Sequence, residues 1–454
     1  MNQKIEIEMK VIPNEKVTDE NTIHVSDALG KKLELSNLQK FVLSCNGYSE
    51  EVKIVFIKES DMTMYCSSLL LNKLMLPTYD FSISITKIED HTLSLGPVIA
   101  LVTEIKEEEQ GLSLGSIQDF CEELATYCKH NGVLFYVSSL NKFNENLGYV
   151  YNRKEWTKTT VPFPHIVHNR IHSRRKEQST NFKQFIYQLQ ERNVPYFNNH
   201  FLNKWEVHEI LQVEDHLTPY LPETILLENK QSLEHMIEIH QYIYLKPIHG
   251  SQGRKIYKIQ KKDAATYQLD YTTNTTELEQ VYDSFYSLFH SLRPRLYGRG
   301  YIVQQGIPLL TYHERPLDFR FLCQKRESDQ WTVTSMIARV SAKEDIVSNL
   351  SRGGELKKIN EVLKEKFEHR EIKQIKMMMI ELALEVATII SLSNDGLYGE
   401  LGIDLALDEE GKPWIIEVNT KPSKNQDPKD LSSKIRPSAK ALIHHCIYLA
   451  NYPD

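Results

Sequence analysis

The chain opens on strict alternation. From Lys4 to Ile12 apolar residues fall at every second position, and Lys40 to Cys45, Val52 to Lys58 and Phe81 to Ile88 are similar. That is the period of strands with one buried face. A repeat runs through this region. Ser26-Asp-Ala-Leu29-Gly-Lys-Lys32-Leu33-Glu-Leu35 matches Ser67-Ser-Leu-Leu70-Leu-Asn-Lys73-Leu74-Met-Leu76 in Ser, Leu, Lys, Leu and Leu, at a constant offset of 41 residues. Two half-units that each bury one face predict a small pseudo-symmetric β-barrel over 1–94. Chance likeness of two short amphipathic helices is the plainer alternative.

The texture changes at Leu95. The run from Gly96 to Thr103 is almost wholly apolar, as in a buried parallel strand. A helix over Ser116 to Lys129, a strand over Val133 to Val137, a strand over Pro164 to His168, a helix over Asn181 to Glu191 and a strand over Val194 to Phe197 follow. Strand and helix alternating at this pitch predict an open α/β layer over 95–200. The basic cluster His168 to Lys176 directly follows a strand. It is either a solvated face or an anion-facing loop at a strand end. From 201 to 454 helices and strands mix without a low-complexity linker, which predicts one further unit. Glu355 to Phe367 and Ile372 to Ser393 read as amphipathic helices, with Met377 to Met379 packing into a core rather than onto a metal. The fold class is therefore α/β and α+β, in several domains.

Composition narrows the function classes. With 54 Lys and Arg against 61 Asp and Glu in 454 residues, the net charge is −7. A dedicated nucleic-acid binder needs a cationic surplus, so none is expected. No apolar run approaches the roughly 18 residues of a membrane span, and the N-terminus lacks the apolar core of a signal peptide. The six cysteines form no CxxC pair. Free thiols in a reducing cytoplasm are expected.

The chemistry concentrates in two segments. Gly402 to Leu407 and Lys412 to Asn419 flank an Asp-Glu-Glu-Gly turn, which predicts a β-hairpin. A turn centred on Glu410-Gly411 sets Ile403 opposite Val418, Leu405 opposite Ile416 and Leu407 opposite Trp414. It also sets Asp404 opposite Glu417, with Asn419 two residues along the same face. Facing carboxylates repel unless a cation lies between them, and an Asn carbonyl is a suitable third oxygen donor. Asp404, Glu417 and Asn419 are thus candidate Mg²⁺ ligands. The second segment is the strand ending at Lys246, followed by Gly250-Ser251-Gln252-Gly253. Such a loop brings backbone N–H groups to phosphate oxygens while the lysine supplies a point charge. It lacks the GxxxxGK[ST] pattern of a P-loop. Between these lie the bend Gln304-Gln305-Gly306-Ile307, the pair Asp318 and Arg320, and Arg339 to Gly354 with Asn349 and Arg352.

A lysine before a Gly-rich hairpin, a hinge strand, D-x-R, N-x-x-R-G-G and D…E-x-N-x-x-P, in that order, resemble the ATP-grasp superfamily over roughly 200–425. The layer before it resembles the pre-ATP-grasp domain. More narrowly the chain is similar to the YheC/YheD family of endospore coat-associated proteins, through Leu95-Gly-Pro, His168-Asn-Arg-Ile, Asn203-Lys-Trp-Glu and Tyr301-Ile-Val-Gln-Gln-Gly-Ile. The resemblance implies ATP and Mg²⁺ as cofactors, and a ligase that activates a carboxylate as an acylphosphate for attack by an amine, of peptide or amino-acid type. Lys204 and Lys246 match the phosphate-holding lysines, and Gly250, Ser251, Gln252 and Gly253 the loop over them. Gln304, Gln305, Gly306 and Ile307 match the hinge whose backbone contacts adenine. Arg320, Arg352 and Asn349 match the catalytic set; Asp404, Glu417 and Asn419 match the metal ligands. Arg170, Arg174 and Arg339 are candidates for holding substrate. The hinge departs from many relatives in having Gln305 in place of Glu. The resemblance also implies work near the spore coat, and spore-coat partners. Its alternative is a coat structural protein whose ATP-binding fold is regulatory or vestigial.

Overall fold

The computed structural model describes residues 4–13, 19–36, 40–89, 91–108, 111–250, 255–272, 277–342, 354–424 and 435–450. Seven strands close into a barrel at the N-terminus. Ile5–Ile12 pairs in parallel with Thr63–Ser67, and Tyr48–Ile57 pairs in parallel with Thr22–Ser26. Alternation sets the faces: Ile5, Ile7 and Met9 are buried while Glu6 and Glu8 are exposed. The repeat is structural. Ser26 and Ser67 cap the short helices Asp27–Lys32 and Ser68–Lys73, accepting from Leu29 N at 3.2 Å and Leu70 N at 3.1 Å. Each helix leaves through a residue with positive φ, Glu34 at 51° and Met75 at 58°. Leu35 N and Leu76 N then donate back to Gly30 O and Leu71 O. Every one of these equivalences keeps the 41-residue offset.

The α/β layer is a six-stranded sheet. Leu134–Ser138, Val98–Val102, Ile166–Asn169 and Tyr196–Phe197 run parallel, and the pair Leu147–Asn152 and Glu155–Thr160 extends one edge antiparallel. One face packs Val98, Ala100 and Val102 with Phe182, Phe185 and the barrel core. The other packs Ile99 and Leu101 with helix Gln118–Lys129. The C-terminal helix Pro437–Leu449 returns to this second face, burying Ala439, Leu442, Ile443 and Cys446.

Between these elements lie two antiparallel sheets. The first, in the order Thr224–Leu226, Tyr301–Gln305, Tyr242–Pro247, Tyr257–Lys261, Tyr267–Thr272 and Glu277–Tyr282, is backed by helices Lys230–Ile239 and Phe285–Leu296. The second, in the order Glu355–Lys357, Thr332–Val340, Arg315–Gln324, Glu400–Leu407 and Pro413–Asn419, packs on helix His369–Leu392. The expected helix from Glu355 is corrected: Glu355–Lys357 is an edge strand, and the helix spans only Ile359–Leu363. Met379 is buried as expected, but Met377, two residues away and so across the helix, is exposed.

The hairpin register is half right. Ile403 faces Val418 and Asp404 faces Glu417, as expected, but Leu405 faces Ile415 and Leu407 faces Pro413. The turn is longer than two residues. Asp408 N donates to Lys412 O at 3.0 Å, Gly411 has φ of 84°, and Asp408 Oδ1 accepts from Glu410 N and Lys412 N. A bulge after Asp404 absorbs the extra residue and restores the register where the acidic pair sits. Among the described residues no helix is long and apolar enough to cross a membrane. All six cysteines are buried free thiols.

Candidate nucleotide site

A cleft opens between the two sheets. The first sheet contributes Thr224, Lys246, Ile302 and Gln304; the second contributes Ile415 to Thr420. Helix Lys204–Gln212 lines its side through Lys204, Val207 and Leu211. Apolar walls with a few polar groups are the lining of a small-molecule site.

Lys204 is set by a capping box. Asn203 Oδ1 accepts from Trp205 N and Glu206 N, and Glu206 Oε2 accepts from Asn203 N at 2.8 Å. Lys204 N also donates to Ile248 O at 3.3 Å, tying the helix start to the end of the lysine strand. The Lys204 ammonium donates to Glu417 Oε1 at 2.5 Å. Lys246 stands on strand Tyr242–Pro247, beside the strand bearing Gln304. Its ammonium donates to Gln304 Oε1 at 2.5 Å, and Gln304 Nε2 donates on to Thr224 Oγ1 at 3.0 Å. Burial, reinforced by the Lys204 charge and opposed by Glu417, pulls Lys246 down to about 8. A lysine whose charge is so disfavoured, inside a cleft, is a candidate functional position.

The three candidate metal ligands meet, but not as equals. Glu417 and Asn419 line the cleft. Asp404 lies deeper, with its side chain 4% exposed. It is gripped by Arg320 through both nitrogens of the fork, Nη2 reaching Oδ2 at 2.8 Å, and by Arg339 Nη2 at 2.9 Å. Burial opposes ionisation of Asp404, yet the Arg320 and Arg339 charges outweigh it and hold the carboxyl below the ordinary carboxylate range. Asn419 Nδ2 approaches Asp404 Oδ2 at 3.4 Å. Two carboxylates and an amide oxygen are the hard donors that Mg²⁺ prefers, so the set fits by donor type. Lys204 and the two arginines supply the compensating charge in this state. Among the described residues no three His, Cys, Asp or Glu side chains form a metal-holding group.

Arg320 pairs with Asp404, which the antiparallel register sets opposite it, and not with Asp318 two residues along its own strand. Asp318 instead takes Arg339, Nε to Oδ1 at 2.5 Å and Nη2 to Oδ2 at 2.6 Å. Arg339, a candidate for holding substrate, is buried and bridges two carboxylates, Asp318 and Asp404. Arg170, 1% exposed, ties the α/β layer to the second antiparallel sheet: it donates to Glu400 Oε1 and to Pro422 O, both at 3.0 Å. Arg174 does line the cleft. Of the hinge, Gln304 lines the cleft while Gln305, Gly306 and Ile307 lie beyond its lining. Gln305 N and Gly306 N donate to Glu223 O and Tyr242 O, and Ile307 O accepts from Tyr242 Oη. The Gln305 side chain accepts from Glu223 N at 3.1 Å. Gly250 lines the cleft; Ser251, Gln252, Gly253, Asn349 and Arg352 lie outside the described residues. Thr224, Phe201 and His208 also line it and escaped the sequence reading, since an isolated Thr, Phe or His carries no spacing signal.

The chain is similar to known proteins. The chain is 26% identical over 382 residues to endospore coat-associated protein YheD of Bacillus subtilis (strain 168), covering 82% of each. It is 24% identical over 298 residues to endospore coat-associated protein YheC of the same organism, covering 64% of this chain and 78% of that one. Among solved structures, the VanG D-Ala:D-Ser ligase of Enterococcus faecalis matches 78% of this chain and 99% of its own, with 11% identity and a TM-score of 0.46. The profile of the family described as YheC/D like ATP-grasp matches residues 193–449, which hold both sheets and the lining of the cleft apart from Arg174. The match takes in more than half of the chain, so the protein belongs to the YheC/D-like ATP-grasp family.

Proposed function

We propose that the protein is an ATP- and Mg²⁺-dependent ligase that joins a carboxylate to an amine. One observation carries this reading: two ammonium groups, Lys204 and Lys246, share one cleft between two sheets with the oxygen donors Glu417 and Asn419. In the proposed reaction a carboxylate oxygen attacks the γ-phosphorus of ATP, the bond to the bridging oxygen breaks, and ADP leaves. The amine nitrogen then attacks the acylphosphate carbon, inorganic phosphate departs, and the nitrogen gives up a proton. The protein's part is placement and charge. Lys204 and Lys246 hold the polyphosphate; Arg320, beside Asp404, is poised to steady charge on the transferred group. Glu417, Asn419 and Asp404 would hold the metal, which when bound supplies further neutralisation of phosphate charge. The two sheets exclude water that would otherwise hydrolyse the acylphosphate.

The coat-associated relatives support a workplace at the developing spore. The test is hydroxylamine trapping: protein, Mg·ATP and a panel of carboxylic acids, scored for hydroxamate and stoichiometric ADP. A hydroxamate that vanishes with Lys246→Met supports the ligase. ATP binding with no hydroxamate across amino acids, dipeptides and dicarboxylates refutes it.

A further inference from the structure

We infer that Arg174 is the specificity-determining residue on the co-substrate side of the cleft, and that it selects a substrate bearing a carboxylate distinct from the one activated. The inference rests on the ligase reading and names its substrate class. The cluster from His168 to Lys176 holds Arg170, Arg174, Arg175 and Lys176, and the structure gives Arg170, Lys176 and the nearby Lys421 and Lys424 a carboxylate partner. Arg170 and Lys424 share Glu400. Lys421 takes Glu177 and Ile171 O. Lys176 lies 3.9 Å from Glu104. Arg174 differs: it is half-buried in the cleft wall, and among the described residues no carboxylate comes within 4.0 Å of it.

Its position is nevertheless built. Asn169 Oδ1 accepts from Ile171 N at 3.1 Å, and Glu104 accepts from His172 N at 3.0 Å and Ser173 N at 3.1 Å. Ser173 Oγ then accepts from Lys176 N at 3.3 Å. The guanidinium rests 5.4 Å from the centre of the Phe201 ring, and Nη1 meets His249 Nδ1 at 2.6 Å. His249 immediately precedes Gly250, so the arm from the α/β layer reaches the edge of the phosphate loop. A guanidinium offers five donors in a planar fork. One is engaged by His249, which leaves an edge for a bidentate anion. The ligase reading gives Lys204 and Lys246 to the polyphosphate, which leaves Arg174, among the described cations lining the cleft, for the second substrate. A carboxylate clamped in that fork has both oxygens engaged, whereas the one attacking phosphorus must present a free oxygen. Arg174 therefore holds a spectator carboxylate, as on an amino acid, a dicarboxylate or a peptide end.

The experiment uses the full chain loaded with Mg·AMPPNP. Apparent dissociation constants are read by thermal shift for the twenty amino acids and glutarate, each against its amide (amino-acid amides and glutaramate). At least one acid should bind about tenfold or more tightly than its amide. Arg174→Gln should bring that ratio near one, Arg174→Lys should keep part of it, and Arg175→Gln, at the exposed neighbour, should keep all of it. AMPPNP binding by the Arg174 variants reports that they are folded. A wild type that binds Mg·AMPPNP but prefers no acid over its amide overturns this inference alone, as does a preference that survives Arg174→Gln. A wild type that fails to bind Mg·AMPPNP overturns the ligase reading and this inference with it.

Discussion

Replacing Asp404 with Asn separates what that residue does for the fold from what it would do for a metal. Its carboxylate compensates Arg320 and Arg339, whose side chains are only 11% and 8% exposed. An Asn amide keeps one acceptor but turns an N–H₂ toward guanidinium donors. Removing one member of a buried pair costs about 3–5 kcal/mol, mostly because the other charge is left uncompensated. Here the lower end applies: Arg339 retains the bidentate hold of Asp318, so only Arg320 loses its carboxylate. The expected loss is about 3 kcal/mol. Glu417→Gln is the contrast. That side chain is 33% exposed and pairs with Lys204 at 17%, close enough to solvent that the pair is worth at most about 1 kcal/mol. Urea unfolding followed by tryptophan fluorescence measures both. Trp414, on the partner strand and hydrogen-bonded to Asp408 at 3.0 Å, reports on the hairpin itself. Asp404→Asn within about 1 kcal/mol of wild type, or Glu417→Gln as costly as Asp404→Asn, would refute the asymmetry. Glu417→Gln is thus the cleaner probe of metal dependence.

Glu400→Gln should cost about 3–5 kcal/mol in the same assay, since Arg170 and Lys424 both lose a fully buried carboxylate; a loss under 1 kcal/mol would show the tie is not energetic. Lys246 sits at about 8 against an ordinary 10.5. Between those values the unfolded chain holds a proton that the folded chain has released, so this lysine makes stability rise with pH there. Nucleotide affinity should fall over the same window, by up to about tenfold per pH unit; AMPPNP titrations at increasing pH that give one constant would contradict the role of its charge. Ser26→Ala and Ser67→Ala should each cost about 1 kcal/mol of barrel stability, and a cost at one cap alone would break the equivalence of the two half-units.

The barrel was legible because its signals are local: period-two alternation and a repeated Ser cap read straight from the chain. The hairpin was legible where residues face one another across two strands, which is why Asp404 and Glu417 were paired correctly. It failed where the turn outgrew two residues, because Asp408 accepts backbone N–H groups that no hydrophobic pattern records. Long-range pairings were the blind spot. Arg170 and Glu400 are 230 positions apart, and Arg320 meets Asp404 only after a crossover brings their strands together. A basic cluster in sequence cannot say which of its arginines meets a buried carboxylate and which is left to face a cleft. Here Arg170 is the first kind and Arg174 the second.

The most direct measurement is the melting of the full chain with and without Mg·AMPPNP. At about 100 times its dissociation constant, the nucleotide should stabilise the fold by about 2.7 kcal/mol, with the metal-dependent part lost in Glu417→Gln. An unchanged melting curve in the wild type, with Mg·AMPPNP at millimolar concentration, would contradict the account.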